Sequence, residues 1–293
     1  MIWLTFLPAA LALTLGVALG AASLPLHPSW GARLLVTVAA TTTVATIGTL
    51  VFVTVNYAAT LFPRTAARLP EWALFGDDRP VPAALGVPAT ALTCLGVATA
   101  ARLSAGWARE VRQAQRISQG VVESDTPMAL AVPGREGGVL VSRGLLRALD
   151  RAQLRVVFEH EASHLRHRHH HYLALGALAA GTVPLLRPLN TRLRFALERW
   201  ADEDAAEAIG DRTLVAHTIA RVALAHSSRA PEPPPFPAFT GSGVVQRVEA
   251  LLDTAPGKNT ISGPVILGGA ALATGLLVSS AWQLDHALGL TFL

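Results

Sequence analysis

Five blocks with few charges alternate with polar segments along the chain. Ile2 to Leu24 and Leu34 to Phe62 are each apolar over at least the roughly 20 residues that a bilayer crossing needs. Ala83 to Leu103 is a third such block, with Pro88 inside it, which a membrane helix tolerates. Pro264 to Leu284 is the fourth. The fifth, Tyr172 to Leu186, is interrupted by Pro184 and followed by Arg187 and Pro188. It is read as a hydrophobic hairpin, re-entrant piece or buried connector. No basic stretch precedes Ile2, which favours a first transmembrane helix over a cleaved leader. Pro63 to Pro82 is polar and is read as an extramembrane loop.

Between the third block and the fifth the pattern changes. Met128 to Val132 and Val139 to Ser142 are short apolar runs around Pro133-Gly134-Arg135-Glu136-Gly137-Gly138, which predicts a hairpin or two short strands. Such strands could pair with an extended peptide by strand addition, or could simply pack under a helix. Asp150 followed by Gln153 predicts a capping box and a helix starting near Arg151. No Gly or Pro interrupts the run to His171. Asn190 to Gly210, Asp211 to Ala225 and Val244 to Leu252 are also read as helices, the last with Arg247 and Glu249 outward. Ser228 to Ser242 holds Pro231, Pro233, Pro234, Pro235 and Pro237, and is read as a stiff loop or lid.

Composition agrees with a membrane protein. Charged residues make up 15% of the 293 positions against 51% hydrophobic, where soluble domains carry about 25% charged. Mean hydropathy is +0.41. A single cysteine, Cys94, excludes a disulfide framework. The net charge of +4 comes almost wholly from arginine and belongs to topology rather than to nucleic acid. Arg102, Arg109, Arg112 and Arg116 follow the third span and place that side in the cytoplasm. The expected fold is mainly α, a polytopic protein of the cell membrane with about four transmembrane helices. Residues 1–103 would hold three spans, 104–262 a small α+β domain with the connector 172–188, and 263–293 the last span and a tail.

The chemistry gathers at His160-Glu161-Ala162-Ser163-His164. Residues four apart share a helix face, so both imidazoles can reach one metal ion, and Glu161 stands beside it as a general base. Zinc fits two imidazoles, one carboxylate and an open position. The carboxylate is assigned to Glu198, one turn before Asp202, which would accept the free ring N–H of a ligating histidine. The spacing alone does not separate Glu198 from Asp202 as the ligand. Glu203, Asp204 and Glu207 read as a solvated acidic face. The tract His167-Arg168-His169-His170-His171 reads as a solvated basic helix end, with accessory contacts to the metal from His167 and His171 as the alternative.

Val141-Ser142-Arg143-Gly144-Leu145-Leu146, His160 to His169, Glu198-Arg199-Trp200-Ala201-Asp202 and Gln246 to Leu252 resemble the M56 family of membrane metallopeptidases. The first three resemble the M48 family of HtpX-like proteases more loosely. The resemblance implies a zincin-like metalloprotease domain, with zinc on His160, His164 and Glu198 and Glu161 as base. It implies a membrane-embedded endopeptidase cutting an intracellular protein such as a BlaI-like repressor. The receptor members of M56 carry a penicillin-binding domain after the last span, and this sequence stops at Leu293 without one, so direct β-lactam sensing is not expected. Two other readings are an HtpX-like quality-control protease and a non-catalytic zinc-binding signalling partner.

Overall fold

Threonine hydroxyls in the apolar helices are satisfied within their own helix. Thr37, Thr43, Thr54 and Thr90 each donate to the carbonyl four residues earlier, which lets a polar side chain sit in an apolar environment. These residues lie in α2 (Pro28–Leu61) and α3 (Ala83–Ile117), which follow α1 (Leu7–Ala21). The computed structural model describes residues 6–22, 25–66, 81–117, 121–134, 137–227, 243–259 and 261–269.

Among the described residues, α2 and α3 are the helices long and apolar enough to cross a membrane. Only 33% and 17% of their most apolar stretches are buried, so they do not behave as core helices of a soluble protein. Val44, Leu95 and Val97 point outward, each more than half exposed. Helix α1 has 15 residues, a length of about 22 Å, less than a bilayer core of about 30 Å. The rest of the expected first span, most of the loop 63–82, the proline-rich segment 228–242 and the expected fourth span beyond residue 269 lie outside the described residues. Helix α3 does not stop at Leu103. It runs to Ile117 and carries the arginine cluster on a helical extension.

The strands are β1 (Val121–Val122), β2 (Ala129–Val132) and β3 (Gly138–Ser142), in the order β1-β3-β2. β2 pairs antiparallel with β3, Leu130 opposite Leu140, and β1 pairs parallel with its other side. β2 is therefore an edge strand. α4 (Arg143–Ala148) leads into α5 (Arg151–Arg166), which opens with the capping box of Asp150 and Gln153.

α5 ends earlier than the sequence predicts. Arg168 takes a left-handed backbone, φ 53°, and α6 (His169–Thr182) starts at the next residue. α6 has 14 residues, too few to cross a bilayer, and a turn at Pro184–Leu186 sends α7 (Arg187–Ile209) back along it. Their close approach depends on Gly176, where a Cβ would come within 2.4 Å of Asn190 Oδ1. Leu189, Leu193 and Leu197 of α7 pack with Leu34, Leu35 and Val38 of α2. Farther along, Ala205 and Ala206 join Val156 of α5, Val215, Ala216 and Ile219 of α8 (Arg212–Ser227) and Leu251 of α9 (Val244–Leu252). α7 thus runs from the bundle of apolar helices into a second core, with Glu198 and Asp202 at the junction.

Candidate metal centre

The helical repeat of α5 brings His160 and His164 together, with Nε2 atoms 3.2 Å apart. α7 lays Glu198 against both: Oε2 is 3.7 Å from His160 Nε2, and Oε1 is 3.7 Å from His164 Nε2. The facing atoms of all three lie within 4.8 Å of one another, close enough to hold one ion. Two imidazoles and a carboxylate with room for a fourth ligand are the donor set of a hydrolytic zinc site, so these residues fit zinc.

Asp202, one turn after Glu198, is fully buried. His160 Nδ1 lies 3.0 Å from Asp202 Oδ1, and donating a proton there leaves Nε2 as the lone pair facing Glu198 and His164. Asp202 in turn accepts two hydrogen bonds of 2.7 Å from Arg247 Nε and Nη2. Arg247 Nη1 also stands 2.9 Å from Glu198 Oε2. Arg247 is therefore buried and turned inward, contrary to the outward position expected from its helix. α9 is brought into register partly by Arg212, which donates to the carbonyls of Ala250 and Leu251 while pairing with Glu203.

Electrostatics follows from this packing. Burial opposes the charge on Asp202, but the guanidinium of Arg247 overrides it and holds the carboxyl well below its usual range. Burial also opposes charge on His160, and the Asp202 hydrogen bond reverses the shift to a net rise. His164 is pushed well below its ordinary value by burial and then by His160, so it is neutral, as a ligand must be. Glu161 is buried against β2, accepts a backbone hydrogen bond from Ala131, and is pushed up to about 7 by desolvation.

The acidic and histidine-rich stretches are less solvated than their composition suggests. Asp204 accepts hydrogen bonds from Ser163 Oγ at 2.7 Å and His167 Nε2 at 2.8 Å, tying α5 to α7. Glu203 is buried with Arg199 and Arg212. Glu207 alone of the three lies on the surface, paired with Lys258. His169 is fully buried. Its Nδ1 lies 2.8 Å from Nδ1 of His164, a contact that a continuous helix through His171 would not give. His167 and His171 do not join the cluster of His160, His164 and Glu198.

Comparison with known proteins agrees with this chemistry. Residues 99–232 match the profile of peptidase family M48. The matched region contains His160, Glu161, His164, Glu198 and Asp202 and stops before Arg247. A stretch of 72 residues is 39% identical to a protein named Protease HtpX homolog from Acidiphilium cryptum (strain JF-5). That stretch is 24% of this chain and 25% of the relative, so the alignment spans about a quarter of each. No solved structure matches the chain significantly. The similarity shown is to peptidase family M48, which the sequence resembles in its first three motifs, and to a protein named an HtpX homologue.

Proposed function

We propose that this protein is a membrane-embedded, zinc-dependent endopeptidase in which His160, His164 and Glu198 hold the metal. The carrying observation is the convergence of those three side chains, from two helices, within 4.8 Å. Zinc held there would act as a Lewis acid on water and on the scissile carbonyl. Glu161 is the general base: its carboxylate accepts the proton of the attacking water and returns it to the leaving amine, so that one water and one peptide bond give an acid and an amine. Asp202 holds His160 in the ligating tautomer, and Arg247 holds Asp202 and Glu198. The substrate is an extended protein segment laid along β2, the edge strand beside Glu161.

Two substrate classes fit. One is an intracellular regulator such as a transcriptional repressor; the other is membrane protein degraded for quality control. The likeness to M48 and to a protein named an HtpX homologue favours the second. In this reading the protease portion faces the cytoplasm, which the arginines at the end of α3 support.

The test is the zinc content of the detergent-purified protein. About one zinc per chain is expected, lost in Glu198→Ala and largely kept in Asp202→Ala. No zinc in the folded parent protein rejects the site. Equal loss in both variants would leave Asp202 as a ligand in its own right.

A further inference from the structure

His160 has Asp202 behind it; among the described residues no carboxylate takes that place behind His164. What stands there is His169. From Nε2 of His164, which faces His160 at 3.2 Å and Glu198 at 3.7 Å, the metal-facing nitrogen is identified. The other ring nitrogen, Nδ1, is directed at Nδ1 of His169, 2.8 Å away. A neutral imidazole that ligates through Nε2 carries its proton on Nδ1, so this bond has one workable direction: His164 donates and His169 accepts.

The surroundings of His169 show why packing alone does not account for it. Its ring sits 4.8 Å from Trp200 and 6.2 Å from Tyr172, centroid to centroid, in an aromatic nest with no exposure. Among the described residues its Nε2 has no hydrogen-bond partner. Burying a polar atom without a partner is unfavourable, and a phenylalanine would fill the same nest without that cost. The backbone is also bent to bring it there. Arg168, with a side chain that disfavours the left-handed region, adopts φ 53° immediately before it. Two unfavourable features converge on one contact, the hydrogen bond to His164.

We infer that His169 is a positioning residue that accepts the Nδ1 proton of His164 and so fixes that ligand's tautomer and ring orientation. The inference rests on the metal-site reading above. It assigns the two histidines of the site different supports: a carboxylate backed by an arginine for His160, and a neutral imidazole for His164. A neutral acceptor raises the basicity of its ligand less than a carboxylate does, so the site keeps two neutral imidazoles and does not gather a further negative charge beside those of Glu161, Glu198 and Asp202.

The experiment compares the full-length protein in detergent with His169→Phe and His169→Asn. Phenylalanine fills the nest and cannot accept; asparagine places an amide oxygen near the position of Nδ1. Zinc affinity by chelator competition and the visible absorption of the cobalt-loaded protein are the readouts, alongside the melting temperature of the metal-free forms. His169→Phe should bind zinc about 10- to 100-fold more weakly, with a changed cobalt spectrum and a metal-free melting temperature no lower than the parent's. His169→Asn should recover most of the affinity and the parent spectrum. Parental affinity and spectrum in His169→Phe would overturn the inference while leaving the metal site intact. Equal loss in both variants, with a fall in metal-free melting temperature, would overturn it in favour of packing. A parent protein that binds no metal overturns the site itself, and this inference with it.

Discussion

Replacing Glu161 by glutamine keeps the size of the side chain and its place against β2, but removes the base. Hydrolysis should fall by about 10²- to 10⁴-fold while zinc content stays at the parent level, and a peptide-cleavage assay run beside metal analysis checks both. Unchanged cleavage would remove Glu161 from the mechanism. Arg247 makes a different kind of contribution. Changing it to leucine leaves Asp202, fully buried, and Glu198 without their cation. Breaking one partner of such a pair costs about 3–5 kcal/mol, to be read from denaturant unfolding of the solubilised protein. The double change Arg247→Leu with Asp202→Leu should recover much of that loss, because two apolar side chains replace a desolvated ion pair. The proximity of His160 and His164 was legible from a four-residue spacing, and that of Glu198 and Asp202 from the same spacing on a second helix. Arg247 was not. Its helix looks amphipathic whichever way it is turned, and the carboxylate that turns it inward lies 45 residues away.

At the scale of elements, the passage from β3 into α4 constrains where α5 begins. Ser142 caps α4 through its Oγ, which accepts from Leu145 N and donates to the Thr126 carbonyl. Two residues on, Gly144 packs so closely that a Cβ would come 2.1 Å from the backbone oxygen of Asp125. That obstacle is main chain, so Gly144→Ala must displace the β1–β2 connection, at about 1–3 kcal/mol. A lowered melting temperature with zinc binding retained is expected; an unchanged melting temperature would show that the connection yields freely. The start of α5 was readable because its capping box is local. Its end was not, since the break falls at Arg168, with neither Gly nor Pro to mark it, and the reward for breaking is the tertiary contact of His169 with His164. The turn between α6 and α7 carried more signal, in Pro184 and Pro188.

The whole molecule joins an apolar bundle to a polar domain, and its orientation is testable through its one cysteine. Antiparallel packing sets the polarity. Arg33, near the start of α2, lies over the Trp200 ring at 5.0 Å, beside the site. Trp107, near the end of α3, meets His171 at 6.5 Å. The start of α2 and the end of α3 are therefore on the side that holds the candidate metal centre, as two oppositely directed spans require. Cys94 is exposed on α3. It lies nine residues before Leu103, about 14 Å along the axis and so near the middle of a bilayer core of about 30 Å. An exposed thiol in water reacts quickly with maleimides, whereas one facing acyl chains meets neither the reagent nor the water that ionises it. A membrane-impermeant maleimide should leave Cys94 unlabelled in right-side-out and inverted vesicles alike, and label it once the protein is unfolded in detergent. In a Cys94→Ser background, Arg116→Cys, on the extension of α3, should label in inverted vesicles only, which would put the metal centre in the cytoplasm. Rapid labelling of Cys94 in intact vesicles would show that α3 is not held in lipid at that depth. The apolar face formed by Val87, Leu95 and Val97 would then need another protein, rather than the bilayer, to cover it.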